Sequence, residues 1–504
     1  MEQNKRPNIL WICTDQQRTE TLGCYGNPFV RTPNIDSLAT HGIRFTNAYA
    51  QSPVCMPSRA SFLTGRYPNT CGVRYNGQDM RASEAEYLIP RRLRDDAGYT
   101  CGLCGKLHLG IGNPAVTPVM EHRINDGYDY FAWSHEPGYR WPTNGYSLWL
   151  SACGKSYKAP PRPDCKYVRQ GMPAEYHHTK WCADRAIEFM ESASHFDRPW
   201  LFSFNCYDPH HSFDPPPEYL ERYLPILDQL PMPDYTVGEL TCKSPIQTRN
   251  HYGAYGKKDY FVYDEMTERD HRMLRAAYYA MCDFIDVQVG RMLESLRKTG
   301  QLENTIVIFH SDHGESLGDH GVYLKGPYFY ESGIRVPLII SRPDSFLEGV
   351  TCEALVELLD IAPTLLEACG LPPCPGMQGY SMLRLLTGEA PLDHFRDSVF
   401  SEIYADTPDA EPDTYSSMVF DGRYKLTKIH ALPARYCEGA VHGELYDLNT
   451  DPTETKNLYD DPSMAEVRFR MLELLCDRMA HTRDPMPMHR YHKKQDFLSK
   501  ATLM

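Results

Sequence analysis

Short apolar runs of strand length recur along residues 1–370, and helical stretches separate them. The first run is Asn8–Thr14, whose unbroken apolar centre suits a strand that is covered on both faces of a parallel sheet. Further runs of this kind are Thr100–Leu103, Trp200–Asn205, Thr305–Phe309 and Pro337–Ser341. This alternation predicts an α/β fold in which a doubly wound, mainly parallel sheet is flanked by helices.

Two of the helical stretches have clear limits. Thr32–Gly42 combines a capping residue, a proline in the first turn and a closing glycine, which together delimit a short helix. Met273–Thr299 repeats apolar residues at the spacing of an amphipathic helix and is followed by Gly300. Strand and helix are therefore expected to alternate throughout this part of the chain.

The pattern changes after the proline-rich segment Leu371–Gly376. Met418–Thr427 predicts a β-hairpin around an Asp-Gly turn, and Ala465–His481 predicts a terminal helix. We therefore expect a main α/β domain over residues 1–370 and a smaller subdomain over residues 371–504. The smaller subdomain should contain an antiparallel sheet and the terminal helix.

Charge and hydropathy exclude several classes of protein. The 504 residues include 66 acidic and 52 basic side chains, which gives a formal net charge of −14. Binding to nucleic acid or to an anionic membrane needs a basic surface, so neither partner is expected, and an anionic substrate must meet a local positive site. No stretch reaches the roughly 18 apolar residues that cross a bilayer, and the apolar run Ile9–Cys13 is too short for a signal peptide. A cytoplasmic location is the resulting expectation.

The 17 cysteines are an odd number spread over a large chain. Without a signal peptide, reduced thiols are a better interpretation than a disulfide framework. Cys101 and Cys104 form a C-x-x-C pair, but no second pair follows at the spacing of a zinc site. Most of these thiols are expected to be small core residues.

Polar and charged residues follow four of the predicted strands. In chain order they are Asp15 and Gln16, then Lys106 and His108, then Asp208, His210 and His211, then Asp312 and His313. Ligands of open parallel sheets bind beyond the carboxyl ends of the strands, where these side chains should meet. Any one of them could be a helix cap or a packed core residue, but their coincidence favours a site.

Two kinds of chemistry are indicated at that sheet edge. Asp15, Gln16 and Asp312 supply the oxygen ligands that Ca²⁺ or Mg²⁺ takes, and His313 could add a nitrogen ligand or a hydrogen bond to a ligand. Cys55 lies just ahead of a predicted helix that has a proline in its first turn, where backbone N–H groups favour an anion. A buried structural thiol is the alternative, but this placement favours a nucleophile.

The segment Cys55-Met-Pro57-Ser58-Arg59, followed by Leu63-Thr-Gly-Arg66, resembles the signature of the type I sulfatases of the alkaline phosphatase superfamily. The likeness continues at Gly105–Gly110, Ser311–Gly314, Lys325–Pro337, Glu444–Pro452 and Asn457-Leu458. From these motifs the chain is identified as a member of that family. The resemblance implies an alkaline phosphatase-like fold, with residues 1–370 as the catalytic domain.

In this family the motif cysteine is oxidised to Cα-formylglycine by a formylglycine-generating enzyme, which reads a sequence that includes Pro57 and Arg59. The resemblance therefore implies that Cys55 is the precursor of an aldehyde and that this enzyme is a partner in maturation. A hydrated aldehyde carries two hydroxyls on one carbon. One attacks sulfur and expels the alcohol, and deprotonation of the other breaks the bond to sulfate and restores the aldehyde.

The matching motifs also imply a role for each site residue. Asp15, Gln16, Asp312 and His313 would hold a divalent metal together with the oxygen derived from Cys55. Arg59 would orient the hydrate, and Lys106 and Lys325 would bind sulfate oxygens. His108 would be the base that releases sulfate. His210 would be an acid or contact for the leaving group, with His211 as the alternative. Many sulfatases have a second aspartate where this chain has Gln16, and the amide lowers the charge of the ligand set and leaves the metal's identity open. Ca²⁺ is still expected first, with Mg²⁺ or Mn²⁺ as the alternatives.

Alternative functions remain open from the sequence. Phosphonate monoester and phosphodiester hydrolases of the same superfamily share the Asp15-Gln16 pair, although the Pro57-Ser58 pair fits sulfatases better. An inactive homologue that binds a sulfated ligand is disfavoured by the complete set of catalytic residues, and an unmodified Cys55 thiol would lack a release step. The substrate is expected to be a small sulfated saccharide or another alkyl or aryl sulfate.

Several segments are expected to form the pocket walls. They are Val73–Gly77, Trp133–Trp149, His177-His178 and a long loop over Arg140–Pro163. Nothing in them identifies the alcohol part of the substrate. Dimers are common among enzymes of this size, so a homo-oligomer also stays open.

Overall fold

A computed structural model describes residues 6–404, 414–431 and 441–483. Within these ranges the strands are β1 (Asn8–Thr14), β2 (Ile43–Phe45), β3 (Ala48–Tyr49), β4 (Thr100–Gly105), β5 (Tyr130–Trp133), β6 (Pro161–Arg162), β7 (Cys165–Arg169), β8 (Trp200–Asn205), β9 (Thr305–Ser311), β10 (Leu338–Ser341), β11 (Val350–Cys352), β12 (Val356–Glu357), β13 (Val399–Ile403), β14 (Tyr415–Phe420), β15 (Tyr424–Ala431) and β16 (Gly443–Asp447). The helices of the same ranges are α1 (Pro33–Thr40), α2 (Cys55–Thr64), α3 (Pro68–Cys71), α4 (Ile89–Ala97), α5 (Gly145–Ala152), α6 (His178–Ala193), α7 (Pro217–Leu220), α8 (Pro245–His251), α9 (Glu268–Lys298), α10 (Glu331–Ile334), α11 (Ile361–Ala368), α12 (Leu383–Leu386) and α13 (Ala465–His481).

A mixed sheet forms the centre of the described chain, with the strand order β11-β2-β10-β9-β1-β8-β4-β5. The five strands from β9 to β5 are parallel, and β10 runs antiparallel to both of its neighbours. After β9 the chain remains at the carboxyl edge of the sheet. Strand β10 therefore begins at that edge and runs in the direction opposite to β9. The prediction of a mainly parallel α/β sheet is confirmed.

Alternate residues of β1 pack into two different cores, as the two-residue repeat of a strand requires. Ile9, Trp11 and Cys13 belong to the core on one face of the sheet, and Leu10 and Ile12 belong to the core on the other. Helices α2, α4 and α11 contribute to the first core, and α6 and α9 contribute to the second. Coverage on both faces explains why the run is apolar without interruption.

The long helix α9 begins five residues before the predicted start at Met273. Thr267 caps it, and Thr267 and Asp270 form a capping box in which each side chain accepts a hydrogen bond from the other's backbone N–H. This first turn is polar, so the apolar periodicity alone could not include it. The predicted end at Thr299 differs from the observed end at Lys298 by one residue.

The C-terminal part of the described chain contains a second, antiparallel sheet with the order β13-β14-β15-β16. The β14–β15 hairpin and helix α13 lie where the sequence predicts them. Met471 and Leu475 of α13 pack on the sheet residues Phe400, Val419 and Leu426. The expected small subdomain is therefore present, while its boundary at residue 370 remains a prediction and parts of 371–504 lie outside the described residues.

The expectation of a loop over Arg140–Pro163 is wrong in part, because helix α5 occupies Gly145–Ala152. Asn144 caps this helix by accepting a hydrogen bond from the backbone N–H of Ser147. Tyr146 and Leu150 are buried at a spacing of four residues. The tyrosines and glycines that suggested a loop therefore include the core face of a short helix.

No helix of the described ranges is long and apolar enough to cross a membrane.

Candidate active site

Four adjacent strands of the main sheet, β9, β1, β8 and β4, bring the predicted site residues to one edge. Cys55, the first residue of α2, lies at the centre of this group and is buried. The prediction that Cys55 lies just ahead of the helix is wrong by one residue, because Val54 is the capping residue and Cys55 is the first residue of α2. Its side chain still lies at the helix N-terminus, where the backbone favours negative charge.

Positively charged groups surround the Cys55 sulfur. Its Sγ atom lies 2.9 Å from Lys325 Nζ, 3.6 Å from Lys106 Nζ and 3.2 Å from His313 Nε2. Burial and the nearby carboxylate of Asp15 raise the pKa of the thiol, but Lys106, Lys325 and His313 outweigh them and lower it to about 7. The site is therefore arranged to stabilise an anion at this position.

A glycine is required at the end of β4, directly before Lys106. Gly105 has a φ of +96°, and a Cβ atom there would lie 1.9 Å from the backbone oxygen of Asn205 in β8. That same oxygen accepts a hydrogen bond from the backbone N–H of Lys106 at 3.0 Å. The close approach of β4 and β8 thus directs Lys106 into the site.

Arg59 connects the two carboxylates of the site. Its Nε donates to Asp312 Oδ2 at 2.8 Å, one Nη lies 3.4 Å from Asp15 Oδ2, and the other donates to the carbonyl of Lys106 at 3.0 Å. Burial raises the pKa of the Asp15 carboxyl, but Lys106, His210, Arg59 and Lys325 together hold that pKa well below its usual range. Asp15 is therefore a carboxylate that is available as a ligand.

The donor atoms of Asp15, Cys55, Asp312 and His313 all lie within 4.8 Å of one another. Nδ1 of His313 lies 2.8 Å from the carbonyl of Gly314, which makes Nδ1 the donor and leaves Nε2 free to act as a ligand. Two carboxylates and one imidazole form a donor set that suits a divalent cation. Asp15, Asp312 and His313 therefore fit a divalent cation, and their role as its ligands stays a prediction.

The side chain of Gln16 contacts Lys325 and Glu315, and not the donor atoms of the metal-binding cluster. Its Oε1 accepts a hydrogen bond from Lys325 Nζ at 2.9 Å, and its Nε2 donates to Glu315. Its backbone N–H donates to Asp312 Oδ1 at 3.0 Å. Sequence reasoning missed Glu315, whose only signal is its position three residues after Asp312. The role of Gln16 as a ligand stays a prediction.

His210 and His211 both lie on the wall of the site. Nδ1 of His210 donates to the carbonyl of His211 at 2.7 Å, and its Nε2 lies 2.9 Å from Lys325 Nζ. The two imidazole rings stack with their centroids 4.0 Å apart. His210 is the one in contact with Lys325, while its role toward the leaving group stays a prediction.

A cavity of about 630 Å³ opens above Cys55. Its lining residues include Tyr75, Asn76, Lys106, His108, His135, Glu136, Tyr139, Tyr207, His210, His211, Tyr255, Tyr260 and Lys325. The predicted walls Val73–Gly77 and Trp133–Trp149 both contribute. His177 and His178 do not line it, because His177 packs edge-to-face on Phe284 and His178 contacts Tyr146. None of the described residues 140–163 lines this cavity either.

The chain is similar in sequence and in fold to known sulfatases and to related hydrolases. Residues 7–371 match the family model for sulfatases, and residues 318–481 match a model described as N-sulphoglucosamine sulphohydrolase, C-terminal. An arylsulfatase from Clostridium perfringens is 30% identical over 92% of this chain and 92% of its own length. An N-acetylglucosamine-6-O-sulfatase from Bacteroides thetaiotaomicron is 25% identical over 96% of this chain and 88% of its own. The solved phosphonate monoester hydrolase of Agrobacterium radiobacter superposes with a TM-score of 0.81 at 25% identity, over 94% of this chain and 96% of that one.

The fold and the cluster around Cys55 thus define a hydrolase of the alkaline phosphatase superfamily. Within that superfamily the chain belongs to the sulfatase family and is a sulfuric ester hydrolase.

Proposed function

We propose that the protein hydrolyses sulfate monoesters of small alcohols, sulfated saccharides first, with a formylglycine derived from Cys55 and a bound divalent cation, Ca²⁺ first. The observation that carries this proposal is the position of Cys55. It lies at the floor of a cavity, against the carboxylates and imidazole of a metal-binding cluster and within 3.6 Å of two lysine ammonium groups. That combination serves the hydrolysis of an anionic ester better than it serves a structural thiol.

Lys106 and Lys325 supply the positive charge for the sulfate group. Both line the cavity beside Cys55, and both are buried in a protein whose net charge is −14. Lys106 also pairs with Asp15 Oδ2 at 2.5 Å. Two fixed ammonium groups in a site of low dielectric stabilise the charge that develops on the sulfate oxygens.

The modified residue and the cation supply the bond-making chemistry when they are present. The formylglycine hydrate offers one hydroxyl for attack on sulfur and a second whose deprotonation releases sulfate, while the cation acts as a Lewis acid. Asp15, Asp312 and His313 would hold the cation, and Arg59 keeps both carboxylates in place. His108 lines the cavity, and burial together with His135 and Lys106 holds its pKa well below its usual range, so it is an unprotonated base.

His210 and Lys325 supply the proton for the departing alcohol. His210 already donates from Nδ1, so its Nε2 accepts from the Lys325 ammonium. The pair therefore holds an exchangeable proton at the wall of the cavity, next to Cys55 Sγ. A leaving alkoxide at this position can take that proton without waiting for water.

The aromatic lining of the cavity favours a leaving group of ring size. Five tyrosines line it: Tyr75, Tyr139, Tyr207, Tyr255 and Tyr260. Aromatic faces of this kind suit either a pyranose ring or an aryl ring. The N-acetylglucosamine-6-O-sulfatase and the arylsulfatase among the relatives support these two substrate classes.

Phosphonate monoester hydrolysis is the second candidate. The Asp15-Gln16 pair and the superposition on the Agrobacterium enzyme favour it. A direct competition decides between the two functions: kcat/KM is measured for 4-nitrophenyl sulfate and for 4-nitrophenyl phenylphosphonate, which share one leaving group. We expect the sulfate ester to be preferred by about 100-fold, a difference of about 2.7 kcal/mol between the two transition states. A preference for the phosphonate ester of that size would establish the alternative, and the Cys55→Ala protein controls for background hydrolysis.

A further inference from the structure

Behind His108 lies a buried carboxylate that neither the motifs nor the proposed function uses. Glu121 is fully buried in the loop between β4 and β5. Its Oε1 accepts the backbone N–H of His108 at 3.0 Å and the indole N–H of Trp133 at 2.8 Å. Its Oε2 lies 3.4 Å from Nδ1 of His135, a second imidazole on the cavity wall. One carboxylate therefore contacts both the main chain of His108 and the ring beside it.

The backbone of His108 needs this support. Its φ of +56° is in the left-handed region, which is strained for a residue other than glycine. The hydrogen bond from its N–H to Glu121 is the contact that the structure provides at this strained position. In this conformation the His108 side chain lines the cavity.

The ring of His108 is held by a neighbouring ring instead of by a hydrogen bond. Its Nδ1 is buried and has no hydrogen-bond partner among residues 6–404, 414–431 and 441–483. The ring of His135 meets it edge-to-face, with the centroids 4.4 Å apart. His135 is itself fixed by Trp141, which packs edge-to-face at 5.5 Å, and by Gly112, where a Cβ atom would lie 2.5 Å from its Nε2.

Glu121 also favours one tautomer of His135. A carboxylate can only accept, so the Oε2 atom that faces Nδ1 of His135 at 3.4 Å favours the proton on that nitrogen and leaves Nε2 as an acceptor. Burial lowers the pKa of His135, so this imidazole is neutral and the choice of tautomer is meaningful. An amide at position 121 would keep its oxygen for the two N–H donors and turn its NH₂ group toward His135.

We propose that Glu121 and His135 are positioning residues for His108, and that they act on the step in which sulfate is released. This inference rests on the proposed function, in which His108 takes the proton of the second hydroxyl, the bond between carbon and the sulfate oxygen breaks, and the carbonyl re-forms. A displaced His108 slows that step and leaves the preceding attack on sulfur untouched. When only the second of two steps slows, kcat and KM fall together and kcat/KM for alcohol release stays constant.

The kinetic test uses Glu121→Gln and His135→Phe with 4-nitrophenyl sulfate. Phenylalanine at position 135 keeps a ring that can pack on His108 but loses the nitrogen that faces Glu121. His135→Phe therefore tests the positioning role even if Glu121→Gln does not fold. We expect kcat and KM to fall together by about tenfold in both, as for other residues that orient a reacting group. His108→Ala should show the same pattern with a larger fall, about 100-fold or more.

A matched control is available in Glu402→Gln. Glu402 is another buried carboxylate that accepts a backbone N–H, that of Asn69 at 2.9 Å, and it does not line the cavity. This variant should keep the kcat and KM of the parent protein. A second readout needs no turnover: in unconverted protein labelled with ¹⁵N-histidine, Glu121→Gln should move the His135 proton from Nδ1 to Nε2, with the signal assigned from His135→Phe.

The outcomes separate the two levels of the proposal. If His108→Ala lowers kcat and KM together but Glu121→Gln and His135→Phe behave like the parent, the positioning role is overturned and the proposed function stands. A fall in kcat/KM at unchanged KM in the two variants, or an unchanged His135 tautomer in Glu121→Gln, also overturns it. If His108→Ala keeps full turnover, the role of His108 in the proposed function fails, and the inference fails with it.

Discussion

The Cys55→Ala protein is expected to fold normally and to lose hydrolysis of 4-nitrophenyl sulfate by at least about 10⁴-fold. Alanine removes the atom from which the attacking oxygen is made, and none of the groups around it can take over that role. The structural cost is small, because a single sulfur atom is lost from a site whose other members pair with one another. Turnover and the thermal unfolding temperature of the same preparation measure the two effects separately.

Cys71→Ala is the matched control for this substitution. Cys71 is a fully buried thiol in α3, and burial raises its pKa to about 12, whereas the pKa of Cys55 is lowered to about 7. Loss of Cys71 should leave turnover within about twofold of the parent, as expected for a packed side chain outside the cavity. Near-normal turnover by Cys55→Ala would contradict the proposed mechanism. Serine is a poor replacement for this test, because it can enter the same maturation in some hosts.

The Asp312→Asn protein is expected to lose about 10³-fold in kcat/KM and to bind its divalent cation at least about tenfold more weakly. Asp312 is fully buried and accepts hydrogen bonds from the backbone N–H groups of Gln16 and His313 and from Arg59 Nε. The amide removes one negative charge from the metal cluster and leaves the Arg59 guanidinium with a weaker partner. Loss of one member of a buried ion pair typically costs about 3 kcal/mol of stability. Turnover, cation titration and thermal unfolding measure these effects.

Asp360→Asn separates the loss of stability from the loss of activity. Asp360 is also fully buried, also accepts two backbone N–H groups, from Tyr380 and Glu357, and also pairs with an arginine, Arg396. It lies at the start of α11, away from the cavity. We expect a similar fall in thermal stability with kcat/KM within about twofold of the parent. An Asp312→Asn protein that keeps full activity without added cation would show that Asp312 is not a ligand.

Periodicity and strand length were sufficient to predict the central fold. The runs at Asn8–Thr14 and Trp200–Asn205 are strands because apolar cores cover both of their faces. The antiparallel direction of β10 could not be predicted, since it depends on the path of the chain between two strand ends and not on the residues of the strand. Helix α5 was missed because its core face amounts to Tyr146 and Leu150 among polar and aromatic neighbours.

Asp15, Lys106 and Asp312 were predictable because each follows directly after a strand, and neighbouring strands end at one edge of the sheet. Glu121 was missed, and His135 was predicted only as part of the wall Trp133–Trp149, because the contacts of both residues with His108 follow from tertiary packing. The sequence also predicted His177 and His178 as pocket walls, but both side chains are buried at the start of α6, where His177 is the capping residue.

The central proposal is that Cys55 is the precursor of a formylglycine, and the mass of the peptide that contains it tests this most directly. The protein is produced together with a formylglycine-generating enzyme, digested, and measured beside a control sulfatase that was converted in the same cells. We predict loss of the thiol sulfur and gain of an aldehyde oxygen at Cys55, together with sulfate ester hydrolysis by the same preparation. An unmodified Cys55 thiol beside a fully converted control would contradict the proposal.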